Sequence, residues 1–203
     1  MLIEVWSDFA CPYCYLGSIS LNELKKTRNV RVEWRAYELR PNGTPSPTPE
    51  YRARIEAGLP GLKKMARERY GIELNPGPLF INTRKVHAGH KFAEAAGAGV
   101  TASVSTTWRR YWQEAQNIED EDVLTQLAVE AGLDAAGFGA AIGQKALGQN
   151  SFVEAALADE TQAMEYGLEG VPAMVVEKKY LIVGAQPLDV LQNEVDEIES
   201  TIH

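Results

Sequence analysis

Cysteine is scarce in this 203-residue chain: there are two, and both lie in one C-x-x-C segment, Cys11 to Cys14. A pair separated by two residues closes too small a loop to stabilise a fold by much chain entropy. A four-ligand zinc site is disfavoured as well, because there is no second C-x-x-C and the histidines lie far from the pair in sequence (His87, His90 and His203). The sequence therefore predicts neither a structural disulfide nor a bound metal.

Positive net charge and long apolar runs are lacking too. The formal net charge is -8 and the isoelectric point is about 5.0, which argues against nucleic acid or an anionic membrane as the main partner. No apolar run reaches the roughly 18 residues of a membrane-spanning helix. The first residues show no basic segment followed by an apolar stretch. We therefore expect a cytoplasmic protein.

The first 40 residues predict a β-α-β unit. Residues 2–8 contain a short apolar run typical of a buried strand. A helix is expected from Pro12, since proline is well tolerated in a first helical turn. Residues 30–37 alternate apolar with polar side chains, which is typical of a second strand. The two strands of such a unit are expected to be parallel.

A helical segment is expected next. Residues 41–49 hold four prolines and a glycine and predict a linker without helix or strand. Helical patterns then dominate to about residue 150, with four candidates. They run over residues 51–70, from about residue 84, through the aromatic residues 108–112, and over residues 123–132.

The end of the chain predicts α-β-β-α. The S-x-x-E spacing from Ser151 is typical of a capping box, and that helix should end near Gly167. Residues 173–177 and 180–183 predict a hairpin with its turn at Lys178-Lys179, followed by a last helix. We therefore predict an α/β protein in two parts: residues 1–42 with 151–203, and an all-α insertion over residues 43–150.

The C-x-x-C pair stands where a thiol becomes reactive. Cys11 is expected at the start of a helix, where unpaired backbone N–H groups and the helix dipole favour the thiolate. Cys14 lies one turn further in. In such pairs the outer sulfur attacks and the inner one resolves the mixed disulfide. Pro12 and Tyr13 lie between the two sulfurs and are expected to contact substrate.

A second feature lies near the other end of the chain. Val171-Pro172 directly precedes the predicted third strand. Proline is tolerated at a strand start, and X–Pro bonds adopt the cis form at low cost. A cis bond there would expose the Val171 backbone to an extended substrate, although Val-Pro is also an ordinary strand entry. We favour the substrate-binding interpretation for Val171 and Pro172.

Residues 8–17 resemble the D-x-x-C-P-W/Y-C-Y/F-L/I-G segment of the DsbA family, in its cytosolic, FrnE-like branch. Residues 169–173 and 184–186 resemble the second signature of that branch, G-V-x-G-V-P followed by G-A-Q. Residues 108–112 and the helix that contains His90 resemble its helical insertion. The resemblance implies a thioredoxin-like fold interrupted by helices that roof a groove over the cysteines. It also implies that Cys11 is the nucleophile, Cys14 the resolving thiol and Pro172 a cis-proline.

The resemblance also implies substrates. They are peptide or small-molecule disulfides and thiols, with no bound cofactor. The dipeptide Pro12-Tyr13 is similar to that of glutaredoxins, which implies a middling reduction potential and makes glutathione a candidate co-substrate. Periplasmic DsbA usually has histidine where Tyr13 stands, which argues against a strongly oxidising role. Some FrnE-like proteins have further cysteines near the C-terminus, and a relay through a second pair is absent here.

Two other functions compete with dithiol–disulfide exchange. One is a glutathione-dependent isomerase or transferase of the 2-hydroxychromene-2-carboxylate isomerase type. That branch resembles this chain in architecture but usually has serine at the position of Cys11. The other is a redox-regulated chaperone or sensor, whose groove would bind unfolded chains.

Several further residues are candidates for a role in the site or the core. His87 and His90 are spaced i, i+3 on a predicted helix, but no third ligand supports a metal, and we favour packing or groove lining for His90. Asp8 is suited either to accept a proton or to shape the turn before Cys11. The aromatic side chains at helical spacing are more often core than groove lining (Trp108, Tyr111 and Trp112).

Overall fold

The computed structural model describes residues 1–143 and 151–202, with four strands and eight helices in these ranges. The strands are β1 (Leu2–Ser7), β2 (Arg31–Ala36), β3 (Ala173–Val176) and β4 (Tyr180–Val183). The helices are α1 (Pro12–Thr27), α2 (Pro49–Tyr70), α3 (Arg84–Ala95), α4 (Val100–Trp112), α5 (Glu121–Glu130), α6 (Ala135–Ile142), α7 (Ser151–Glu165) and α8 (Leu188–Ile202). No described helix is long and apolar enough to cross a membrane.

The strands form one sheet in the order β2-β1-β3-β4. β1 and β2 are parallel, as predicted, with Leu2 opposite Arg31. β3 is antiparallel to both β1 and β4, so the predicted hairpin is confirmed. One sheet face packs on α1 and α8 through buried aliphatic residues such as Leu21 and Leu191. The other face packs on α7 around Trp6 and Ala163.

Two predicted boundaries were wrong. The hairpin turn is centred on Glu177 and Lys178, which both have positive φ, and Lys179 N–H donates to the Val176 carbonyl oxygen at 3.0 Å. The chain reverses over these residues, and Val176 pairs with Tyr180, so β3 ends one residue earlier than predicted. Helix α2 begins inside the predicted linker, at Pro49, because the Thr48 hydroxyl accepts the Tyr51 N–H.

The described part of the helical segment, residues 43–143, contains one helix more than the four predicted. Helix α6 carries Gly137 and Gly139, which disfavour helix. Its first turn is stabilised by Asp134, whose carboxylate accepts the Gly137 N–H at 2.6 Å. Its Phe138 packs on Gly89 of α3, where a Cβ would lie 2.7 Å from the ring. Residues 144–150, the end of the predicted insertion, and His203 lie outside the described residues.

A buried ion pair joins the two parallel strands. Glu4 on β1 is fully buried, and one of its carboxylate oxygens accepts a hydrogen bond from Arg35 Nη2 on β2 at 2.6 Å. Arg35 also lies 3.5 Å from Asp159 of α7. Removing one partner of such a pair leaves a buried charge without compensation, which costs far more than the loss of a surface pair.

We predict that Arg35→Met lowers the free energy of unfolding by about 3–5 kcal/mol, because Glu4 then stays buried without its partner. The matched control is Arg31→Met on the same strand. The Arg31 side chain is 78% exposed, so its replacement should change the free energy of unfolding by no more than about 0.5 kcal/mol. Urea denaturation at neutral pH measures both variants. Equal losses in the two variants would contradict the assigned role of Arg35.

Candidate active site

Cys11 occupies the N-cap of α1, as the strand-to-helix pattern predicts. Its backbone is extended, and its Sγ accepts the Cys14 N–H at 3.3 Å. The first turn of α1 carries no acidic residue. A sulfur at this position faces unpaired backbone N–H groups and the positive end of the helix dipole.

Both cysteines are free thiols and both are buried. Burial raises the pKa of the Cys14 thiol well above its usual range, and the hydrogen bond to Cys11 and the proximity of the Cys11 sulfur add to this. Cys14 Sγ in turn accepts the Asp8 N–H at 3.5 Å. The inner sulfur is therefore held as a thiol beside the outer one.

The segment before β3 forms a wall of the site, although it lies 160 residues from Cys11 in sequence. The Val171–Pro172 peptide bond is cis. The Cys11 thiol donates to the Val171 carbonyl oxygen across 3.7 Å. Pro172 is buried and lies against Gly17 of α1, where an added Cβ would be 3.7 Å from its ring and 3.4 Å from Ala185. The two end motifs of the chain thus meet at the reactive pair.

The two residues between the cysteines differ in exposure. Tyr13 is half exposed, and Pro12 is partly buried. Tyr13 is the more accessible of the two to a substrate. The contacts of both residues with substrate stay a prediction.

The helices between β2 and α7 cover the cysteine turn. Phe9, Cys11 and Cys14 share one buried cluster with side chains of α2 to α6. The Trp112 indole donates to the Phe9 carbonyl oxygen at 3.0 Å, and the Trp108 and Phe9 ring centroids are 5.2 Å apart. Trp108, Tyr111 and Trp112 are all buried, so the core interpretation of these aromatic residues is confirmed.

Asp8 shapes the turn that carries the cysteines. Its buried carboxylate accepts the Ala10 N–H at 2.9 Å and the Leu39 N–H at 2.6 Å, and it also hydrogen-bonds Thr83. Burial raises the pKa of Asp8 to about 6. The sequence indicates a role for Asp8 but not for Leu39 or Thr83, because no local pattern relates three segments so far apart in the chain.

His87 is buried and His90 is partly buried on α3, and of the packing or groove-lining roles expected for His90 the structure shows packing. Its ring stacks on Phe9 with centroids 4.7 Å apart, and its Nε2 lies 3.3 Å from the Thr107 hydroxyl. Burial lowers the pKa of both imidazoles to about 3, and the nearby Lys91 charge contributes to both shifts. The described residues contain no group of three or more His, Cys, Asp or Glu able to hold a metal.

We predict that His90 makes the fold sensitive to acid. Its folded pKa, about 3, lies below the unfolded value of about 6.5, so its stabilisation is full above pH 6.5 and is lost as the pH falls towards 3. His90→Phe keeps the stacking on Phe9 but removes the titrating group. Between pH 6.5 and 3, its free energy of unfolding should therefore fall less steeply than that of the unmodified protein, by up to about 1.4 kcal/mol per pH unit. Urea unfolding at pH 4, 5, 6 and 7 measures the slope.

Thr107→Val is the control for that prediction, because it removes the hydrogen-bond partner of His90 but no titrating group. It should shift the free energy of unfolding by a similar amount at each pH. If the free energy of unfolding of His90→Phe falls with pH in parallel with that of the unmodified protein, His90 is not the source of the acid sensitivity.

Comparison with known proteins gives the family of the chain. A family model described as DSBA-like thioredoxin domain matches residues 2–196. The uncharacterized protein YwbO of Bacillus subtilis is 34% identical over 151 residues, which are 69% of this chain and 70% of YwbO. A probable DsbA oxidoreductase from Streptomyces coelicolor has a similar structure, with 27% identity and a TM-score of 0.81 over 97% of this chain and 89% of that one.

Two further solved structures share the fold. A 2-hydroxychromene-2-carboxylate isomerase is 22% identical with a TM-score of 0.78, over 98% of this chain and 96% of that one. The cytosolic disulfide reductase DsbM from Pseudomonas aeruginosa, solved with GSH, is 17% identical with a TM-score of 0.68, over 97% of this chain and all of that one. The predicted thioredoxin-like fold with a helical insertion is thereby confirmed, and the chain belongs to the DSBA-like thioredoxin domain family.

Proposed function

We propose that the protein is a thiol–disulfide oxidoreductase in which Cys11 attacks a substrate disulfide and Cys14 resolves the mixed disulfide. The observation that carries the proposal is the geometry of the pair. Cys11 Sγ accepts a helix N-terminal N–H from Cys14, while Cys14 itself is buried one turn deeper with a raised pKa. The Cys11 sulfur is thus suited to the first step, attack on the substrate, and the Cys14 sulfur to the second, resolution of the mixed disulfide.

The reaction follows from this division. Cys11 thiolate displaces one sulfur of the substrate disulfide, which leaves as a thiolate and takes a proton from solvent. The Cys14 thiol then loses its proton, and its sulfur attacks Cys11 Sγ. The second substrate sulfur leaves, so the substrate gains two electrons and two protons while the enzyme dithiol becomes a disulfide.

The substrate is proposed to lie along Val171. No described backbone group hydrogen-bonds the Val171 N–H, and its carbonyl oxygen is contacted by the Cys11 thiol. A groove of about 410 Å³ begins there and is lined by residues 167–173 with the exposed side chains of Leu181 and Val183. An extended peptide fits such a groove, because it can pair with free backbone groups while apolar side chains cover apolar surface.

The relatives support this proposal and suggest a co-substrate. The Streptomyces protein is described as a probable DsbA oxidoreductase, and DsbM is a cytosolic disulfide reductase solved with GSH. We accordingly propose peptide or small-molecule disulfides as substrates, glutathione as a candidate co-substrate and the cytoplasm as the location. Residues 1–42 with 151–203 would supply the reactive pair and its wall, and residues 43–150 the roof.

A glutathione-dependent isomerase is the second candidate, because the isomerase structure matches 98% of this chain. Two free thiols at the helix start favour disulfide exchange over isomerisation, which has no use for a resolving cysteine. Turnover of 2-hydroxychromene-2-carboxylate with glutathione, together with inertness towards disulfides, would reverse this preference.

We predict that Cys11→Ser reduces the rate of insulin or glutathione-disulfide reduction to the uncatalysed level, since the attacking sulfur is gone. Cys14→Ser is the matched control, because it keeps the attack but not the resolution. It should accumulate a mixed disulfide at Cys11, visible by mass spectrometry of the intact protein. Undiminished turnover by Cys11→Ser would disprove the proposed function.

A further inference from the structure

A cluster of arginine and aromatic side chains joins the segment after β2, the first turn of α2 and the segment before α3, and the steps above do not use it. The Arg40 and Arg52 guanidinium groups lie over the ring of Phe80, 6.0 and 4.9 Å from its centroid. Arg54 lies over the ring of Tyr51 at 4.9 Å, and the centroids of the two rings are 5.9 Å apart. We refer to these five residues as the arginine cluster.

The stacking leaves guanidinium N–H groups of the arginine cluster available to a ligand. A guanidinium that lies over an aromatic ring is held by its face, and its N–H groups point outward in its own plane. Arg40 Nη2 donates to the Pro45 carbonyl oxygen at 2.8 Å. Arg52 and Arg54, by contrast, have exposed side chains. The cluster therefore presents oriented hydrogen-bond donors to solvent.

The positive charges of the arginine cluster are not compensated. None of its three guanidinium groups makes an ion pair with a residue that the structure describes, whereas the arginines elsewhere, apart from Arg69, pair with carboxylates. Glu50, on the first turn of α2, hydrogen-bonds its own N–H and Thr48. Three unpaired positive charges thus converge at one place in a chain whose net charge is -8.

Phe80, which contacts two of the guanidinium groups, has an unfavourable backbone conformation. Its φ is 65°, in the left-handed region, which makes it an outlier for a bulky side chain. Such a residue costs free energy and persists where the surrounding structure enforces it, often at a site that binds a ligand. The strain therefore agrees with a binding role for the arginine cluster.

The sheet places the arginine cluster at the same edge as the reactive pair. Because β1 and β2 are parallel, the segment after β2 leaves the sheet at the edge where the turn to Cys11 begins. The Asp8 carboxylate accepts the Leu39 N–H at 2.6 Å, which ties the two segments together. Asn82 Nδ2 donates to the Arg40 carbonyl oxygen at 2.8 Å, which ties the segment of Phe80 to both.

The arginine cluster and Val171 lie on opposite sides of Cys11. β1, which leads to Cys11, has β2 on one side and β3 on the other. Val171 precedes β3, whereas Arg40 follows β2. A substrate chain that crosses Cys11 with one arm along Val171 would therefore direct its other arm towards the arginines.

The distance from the sulfur favours a peptide over glutathione. The path from Cys11 to Arg40 runs over two hydrogen bonds at Asp8 and a few residues of chain, so the arginine cluster lies on the order of 15 Å from the sulfur. An extended chain spans at most about 3.5 Å per residue. The carboxylates of glutathione flank its own cysteine and fall short, whereas an acidic side chain about four residues from a substrate cysteine reaches the cluster.

We infer that the arginine cluster binds an acidic segment of a peptide substrate, about four residues from the disulfide that Cys11 attacks. The inference rests on the proposed function and adds a class of substrate to it. Aspartate and glutamate carboxylates accept two parallel hydrogen bonds from one guanidinium, which suits the outward N–H groups of the cluster. The cluster then selects acidic clients that the net charge of the chain otherwise repels.

Two symmetric peptide disulfides test the preference. Each half carries one cysteine, with glutamate in one peptide and glutamine in the other at about the fourth residue on either side. The rate constant of the reduced protein is measured in single turnover, by acid quench and chromatography. Because each exposed ion pair contributes roughly a factor of two to five, the glutamate peptide should react about 10-fold faster at low ionic strength. That preference should disappear at about 1 M salt.

Arg52→Gln should lower the preference for glutamate about threefold, because it removes one of the three charges from an exposed side chain. Arg31→Gln is the matched control. It removes the same charge from the other end of β2, where the side chain is 78% exposed, and it should keep the full preference. Equal losses in the two variants would show an effect of net charge alone and would overturn the inference, as would equal rates of the two peptides with the unmodified protein.

The position of the glutamates distinguishes a peptide from glutathione. When they are moved next to the cysteine, where glutathione has its carboxylates, the preference should be lost. A preference that is retained in this peptide would assign the arginine cluster to glutathione and overturn the inference.

A binding measurement separates the inference from the proposed function. The same peptides with serine for cysteine cannot react, and their affinity follows from the fluorescence anisotropy of a labelled end. The glutamate peptide should bind more tightly than the glutamine peptide to the unmodified protein, and less so to Arg52→Gln. Equal affinities would overturn the inference, whereas failure to reduce either peptide disulfide would overturn the proposed function alone.

Discussion

The site depends on one buried carboxylate, that of Asp8. Its two backbone hydrogen bonds join the turn before Cys11 to the segment after β2, and its contact with Thr83 joins both to the start of α3. Burying a carboxylate costs free energy unless it is hydrogen-bonded. The burial of Asp8 therefore requires these hydrogen-bond partners. The N-cap position of Cys11 follows from the turn that they hold.

The sheet and the helical segment contribute different things to the reactive pair. The sheet brings Val171 to Cys11, because β3 lies beside β1 and both lead into the site. The helices contribute burial, through Trp108 and Trp112 over Phe9. Burial raises the pKa of the Cys14 thiol, and the Cys14 N–H donates to the Cys11 sulfur.

Local signals in the sequence were enough for the frame of the site. A strand that breaks at Asp8 and a proline at position 12 predict the helix start at Cys11, and Val171-Pro172 predicts the strand entry opposite it. Both predictions depend only on the conformational preferences of adjacent residues, which do not require knowledge of the tertiary fold. The turn at Glu177 and Lys178 escaped prediction because neither residue type signals a positive φ.

The contacts that complete the site could not be predicted in this way. Asp8, Leu39 and His87 are brought together by tertiary packing, and nothing in their local sequence relates them. Helix α6 was missed for a similar reason: its two glycines disfavour a helix, whereas the contact of Phe138 with Gly89 exists only in the folded protein. Sequence patterns therefore located the two cysteines but not the groups that pack around their turn.

The distance in sequence between Cys11 and Val171 also sets an order of events during synthesis. Cys11 leaves the ribosome 160 residues ahead of Val171, which it contacts in the folded protein. At roughly 5–20 residues per second, on the order of ten seconds pass between the two. During that interval the nascent chain carries both thiols without Val171 beside them, so the contact between Cys11 and Val171 forms only after residue 171 has been made.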